Sequence, residues 1–342
     1  MNTKKLISLF AVLCITSTSV WATDYVTQQV ADGTTLTFNN GDTFSTTNAS
    51  SLVARGGGTI TLQNTLSDAV SIRTSATNDF TAVYIADSSS ADLGNGSEIY
   101  SDALGIRTSG TGGSFTATNL SLYIGTASAA TTNALARAIS ASSANVNLGT
   151  NSTIYMNVNM ETFNGAVRLA GGTFTATDSL SIEINGVGPT STSYGIIATN
   201  GAQIDLGTNF SMKNYLTKGF GIHMTTTSLT LGDNAYIEAQ AVALHASSAS
   251  SLIASNFTIK ALGVDESRSH TNGTGIYLCN DSTATISTNG NIEAKTHALY
   301  VYEATLSAAN STFSTTGTNS ATVYVSAGAD VSLANSYISG ND

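Results

Sequence analysis

Short apolar alternations recur along this chain, each followed by a turn and an apolar return. Two neighbouring copies show the pattern: Ile204-Asp-Leu206-Gly207-Thr-Asn209-Phe-Ser-Met212 and Leu229-Thr-Leu231-Gly232-Asp-Asn234-Ala-Tyr-Ile237. Read as apolar-x-Leu-Gly-x-Asn-x-x-apolar, each copy is a brief strand, a forced turn and a return to strand. A form one residue shorter runs from Phe115 to Leu122, Leu252 to Ile259, Leu306 to Phe313 and Val331 to Ile338; Phe174 to Ile182 is intermediate, with Asp178 near its turn. With Ile60 to Leu66 taken as a shortened copy around Asn64, the closing apolar positions are Phe44, Leu66, Ile99, Leu122, Ile154, Ile182, Met212, Ile237, Ile259, Ile292, Phe313 and Ile338. Their spacing averages about 27 residues, inside the window that marks solenoids and arrays.

About eight residues upstream of most copies lies a second alternation, as in Val83-Tyr84-Ile85, Ile222-His223-Met224 and Leu299-Tyr300-Val301. Each repeat therefore predicts two or three short strands and no helix. The Ala-rich stretch 126–143 reads as a long loop. Strands this short, recurring at one coil length, bury their inward side chains by stacking on the equivalent strands of the next coil. The predicted fold is all-β, a single-stranded right-handed parallel β-helix of about twelve coils of roughly 27 residues. At ~4.8 Å per coil the rod is roughly 50–55 Å long, with insertions leaving it as loops on one face.

The turn position is Gly at Gly41 and Gly96 and Asn at Asn151, Asn209, Asn234 and Asn289. Both residue types tolerate the left-handed region, so a positive φ is expected there, with Asn amides bonded along the axis. The residue after each closing position is Glu183, Lys213, Glu238, Lys260 and Glu293 in five successive coils. Alternating signs remove like-charge repulsion from a parallel stack and penalise register slips. Earlier in the same column Tyr100, Tyr123 and Tyr155 predict an aromatic stack.

Composition narrows the class. Charged residues are 10%, hydrophobic residues 41%, and there is one proline, Pro189, so the chain folds rather than remaining disordered. Residues 1–22 read as a secretory signal: Lys4 and Lys5, an apolar run from Leu6 to Ile15, and Val20-Trp21-Ala22 before cleavage. This leaves 23–342 as the folded unit. Losing Lys4 and Lys5 takes the formal charge from −10 to −12, a poor match for nucleic acid or anionic membrane. No later apolar run is long enough to span a bilayer, and the C-terminus lacks the long alternating strands of an outer-membrane barrel. Cys279, the one cysteine after the signal, forms no internal disulfide and reads as a buried or loop thiol.

The candidate chemistry is one outward column in the upstream strands: Tyr84, Arg107, Arg168, His223, His245, Tyr277, Tyr300 and Tyr324. Aromatic and basic side chains along a rigid face suit glycans or protein surfaces, because Tyr offers contact area and a polar tip at low entropic cost. The alternative is that Tyr favours strands and stacks on its neighbours. A metal bridging His223 and His245 lacks a third ligand of suitable spacing, so no metal and no cofactor is expected. Asp265, Glu266, Arg268 and His270 form a charged knot that a β-helix hydrolase would place beside a groove, and its simpler reading is a solvated insertion. No serine-protease context or phosphate-cradling loop occurs, and no catalytic residues are assigned.

A signal followed by irregular Ser/Thr/Asn/Gly-rich coils, with Leu-Gly turns at Leu148-Gly149, Leu206-Gly207 and Leu231-Gly232, resembles the passenger domains of bacterial autotransporters. Within them it resembles the pertactin-like, adhesin type over about residues 30–342. The resemblance implies export, display on or release from a Gram-negative cell surface, and adhesion or self-association without catalysis. The sequence reaches Gly340-Asn341-Asp342 directly after a repeat with no translocating barrel, which adds the periplasm as an expected location. Self-association is expected through the C-terminal coil, whose strand edges lack a neighbour. The alternatives are a β-helix polysaccharide lyase or hydrolase and a trimeric tailspike-like fibre.

Overall fold

The structure is a computed structural model that describes residues 22–75, 80–125, 130–159, 165–187, 192–263, 272–318 and 320–341. Its strands form a 13-stranded and a 22-stranded parallel sheet, and the second of these comprises two stacks joined by the long strands Arg137–Asn147 and Val167–Thr175. Each coil thus lays one strand on each of three faces. The first face begins with Gln29–Asp32 and Leu52–Arg55, the second with Thr35–Asn39 and Thr59–Gln63, and the third with Asp24–Tyr25 and Thr43–Thr47. This is the parallel β-helix expected from the repeat, with three strands per coil.

The core is a continuous column from Ala31 to Phe313, filled by inward alternation from all three faces. Successive closing residues pair in register, as Leu122 with Ile154, Met212 with Ile237 and Ile292 with Phe313. One position differs from the sequence reading. Leu66 is 64% exposed, and the residue between Phe44 and Ile99 in the stack is Ile72. Residues 64–70 lengthen that connection, and Asn64 turns inward, where its Nδ2 donates to Ser97 Oγ at 2.9 Å. The stretch 126–143 also differs from a loop: 137–143 belong to Arg137–Asn147, where Ala138, Ile139 and Ala141 are buried. Residues 126–129 lie outside the described residues.

The turn column has the expected conformation. Gly41, Gly96, Asn151, Asn209, Asn234 and Asn289 all have positive φ, as do Asn119, Asn256, Asn310 and Asn335 of the shorter form. In the intermediate copy the left-handed residue is Ser179, one position after Asp178. The amides form a ladder along the axis: Asn234 Nδ2 donates to Asn209 Oδ1 at 3.2 Å, and Asn289 Nδ2 to Asn256 Oδ1 at 2.9 Å. Asp178 joins it by accepting from Asn209 at 2.7 Å, and bonds from Thr208, Asn209 and Ser179 hold its carboxyl below the usual range.

The outward columns segregate by chemistry. On the third face Glu183, Lys213, Glu238, Lys260 and Glu293 pair in register, and Lys260 reaches Glu293 at 3.9 Å. Above them Arg73 lies over the Tyr100 ring at 4.1 Å, Tyr100 stacks on Tyr123 at 4.8 Å, and Tyr155 tilts away at 52°. The second face carries two unbroken columns, Thr35 to Asp330 and Thr37 to Ser332, dominated by Ser and Thr and free of Lys, Arg, Glu and aromatic residues. No helix among the described residues is long and apolar enough to cross a membrane.

Candidate functional site

The first face brings the predicted column together. Its outward positions run Val53, Tyr84, Arg107, Ser140, Arg168, Ile197, His223, His245, Tyr277, Tyr300 and Tyr324, each paired with the next. Ser140 and Ile197 interrupt the aromatic and basic series, dividing it into an arginine segment and an imidazole–phenol segment. Arg107 Cζ sits 5.8 Å from the centre of the Tyr84 ring, whose hydroxyl bonds Ser109 Oγ at 2.7 Å. Arg168 is exposed.

In the second segment the rings pack on one another. His245 stacks on Tyr277 at 4.5 Å and 4°, and Tyr300 on Tyr324 at 4.7 Å and 15°. The stacked pairs meet edge to face: Tyr277 crosses Tyr300 at 81°, and His223 crosses His245 at 72°. Such packing stabilises the rod by about 0.5–1.5 kcal/mol per pair. It also hides ring faces within the column, and the Nδ1 atoms of His223 and His245 are buried, so a ligand meets ring edges and the phenol tips of the tyrosines, spaced by the ~4.8 Å coil rise. The structural role of the rings is thus part of how the face is built.

Burial tunes these tips toward neutrality. It pushes the Tyr277 hydroxyl up to about 12, with the bond to Cys279 acting in the same direction, so this phenol stays protonated at neutral pH. Burial lowers His223 to about 4. Between that value and the ordinary 6.5 the unfolded chain holds a proton that the folded chain refuses, so stability falls as pH drops through this window. The expected loss between pH 7 and 4 is on the order of 1–3 kcal/mol. Thermal melts of H223F across that range should show a visibly flatter profile than wild type.

Cys279 is buried, with Sγ 3.5 Å from His245 Nε2, and burial raises its thiol away from the reactive thiolate. Among the described residues no three His, Cys, Asp or Glu side chains gather as a metal-binding group. Asp265, Glu266, Arg268 and His270 lie outside the described residues. Their stretch connects Phe257–Ala261 of the third face to Thr274–Cys279, the strand that carries Tyr277.

That connection is one of a set. Third-to-first links vary from two residues at Asp102 and Ala103 to twelve at 125–136 and 262–273, whereas first-to-second links never exceed four. The longest connections therefore fall between the third and first faces, and variable loops on a rigid scaffold are where binding residues concentrate. Two residues at this corner were missed by the sequence reading. Tyr194 and Phe220 cross at 5.5 Å and 77°, and Phe220 forms with Ala241 and Val242 a small buried cluster outside the main core, against which Tyr194 and Tyr277 pack. Their shared context, Tyr194-Gly195-Ile196 and Phe220-Gly221-Ile222, was the available signal.

Fold and geometry together define a class: a parallel β-helix whose first face carries an aromatic and basic column free of acidic residues from Leu52–Arg55 onward. Compared with models of known protein families, with curated proteins and with solved structures, the chain matches none.

Proposed function

We propose that this protein is an exported surface rod of the autotransporter-passenger, adhesin kind, which binds a cell-surface glycan or protein along its first face without turning it over. The observation that carries this reading is the in-register column from His223 to Tyr324, beside the corner crossed by the longest connections. A stacked column needs no ligand to order it, so binding loses little side-chain entropy. The signal-like residues 1–22 and the low charge density support export and life outside the cytoplasm.

The test is adhesion of the purified protein to epithelial cells and to Gram-negative cells, with wild type compared with Y277A/Y300A/Y324A. The triple variant should keep its far-ultraviolet dichroism and lose at least about tenfold in binding, as expected when several interface tyrosines are truncated. Unchanged binding by a folded triple variant would make the column purely structural.

A further inference from the structure

The chain is acidic, with 22 Asp and Glu against 12 Lys and Arg, yet its first face is not. From Leu52–Arg55 to Val323–Ser326 no first-face strand contains an acidic residue. The same strands hold Arg55 and, in three successive coils, Arg107, Arg137 and Arg168, four of the six arginines in the sequence. Among the described residues neither Arg107 nor Arg168 has a carboxylate within ion-pairing distance, whereas Arg55 at the end of the rod pairs with Asp32 at 2.9 Å. Strand propensity explains none of this, because the second and third faces place Asp and Glu on strands of the same geometry.

Resting on the function proposed above, we infer that the first-face ligand is an extended anionic polysaccharide bearing carboxylate or sulfate groups. Its acid groups meet Arg107 and Arg168, and its hydroxyls meet the phenol tips from Tyr277 to Tyr324. Arg107 and Arg168 are separated by the coil of Ser140, two rises or ~9.6 Å, about the length of a disaccharide. A polymer with one acid per disaccharide therefore reaches both. Guanidinium binds carboxylate and sulfate through the same planar fork, and the phenol tips suit hydroxyls. A nucleic acid fits less well, because its phosphates are dense and repelled by the acidic remainder of the rod.

The experiment measures binding of the full chain to hyaluronate, which carries carboxylate only, to heparin, which also carries sulfate, to neutral dextran and to duplex DNA. Wild type should bind at least one polyanion, ignore dextran, and weaken as salt rises from about 0.05 to 0.5 M. R107Q/R168Q should lose at least about tenfold with an unchanged melting midpoint, and R107K/R168K should recover part of the loss. The exposed-site variant R168Q, tested alone, keeps the result interpretable if the double variant folds poorly. Equal binding to dextran, tighter binding to DNA than to both polyanions, or indifference to R168Q would overturn the inference. If cells are bound through Tyr277, Tyr300 and Tyr324 while no polyanion is, this inference fails and the proposed function stands; if neither cells nor polyanions are bound, both fail.

Discussion

Replacing Gly207 with alanine should destabilise the rod by about 2–4 kcal/mol, whereas Gly201→Ala should cost only about 1 kcal/mol. Both glycines have positive φ, +53° and +74°, so both substitutions carry the strain of a left-handed alanine. They differ in what the new methyl group meets. A Cβ at 207 would lie 2.1 Å from the Thr177 carbonyl oxygen and 2.4 Å from that of Ala176, while a Cβ at 201 meets nothing within 4 Å. Those carbonyls belong to the coil below, and moving them opens the stack. In the next coil a Cβ at Gly232 would lie 2.0 Å from the Gly207 oxygen, so the Leu-Gly turns nest on one another. Urea unfolding of the two variants separates turn strain from coil contact, and equal losses would remove the contact argument.

Truncating Ile237 should be far more damaging than truncating Ile338, although the two occupy the same place in the repeat. Ile237 is fully buried between Met212 and Ile259, so Ile237→Ala leaves a cavity and should cost about 2–5 kcal/mol. Ile338 is 49% exposed and pairs on one side, with Phe313. Its truncation should cost under about 1 kcal/mol. In a solenoid each coil is held mainly by its two neighbours, so position along the axis sets the penalty as strongly as residue type. Urea midpoints for the two variants check this, and equal shifts would mean that the last coil is as firmly packed as the middle.

The sequence disclosed the coil because its determinants are local. Alternation at period two and the Asn or Gly turn act within nine residues, and the charge column from Glu183 to Glu293 follows once the coils are aligned. Leu66 was misassigned because Asn64 has the right identity at nearly the right spacing, and only packing shows that its amide faces inward. The loop reading of 126–143 failed because Ala fills tight inward positions in strands such as Arg137–Asn147 as well as loops. Column membership of the eight candidate residues was legible. What the rings do to one another was not, since stacking against crossing depends on rotamers chosen by three-dimensional neighbours. Tyr194 and Phe220 sit out of phase with that column, and the acid-free run of first-face strands from Leu52–Arg55 onward emerges only when the coils are superimposed.

The central claim is that binding runs along the first face, and the molecule carries its own control: Tyr277, Tyr300 and Tyr324 there, against Tyr100, Tyr123 and Tyr155 on the third face. Hydroxyl-radical footprinting of wild-type protein, free and bound to epithelial or Gram-negative cells, measures both sets at once. Protection of the first-face tyrosines with no change in the third-face set is the predicted result. Protection of the third-face set alone, equal protection of both, or no protection in a cell-bound sample would contradict it.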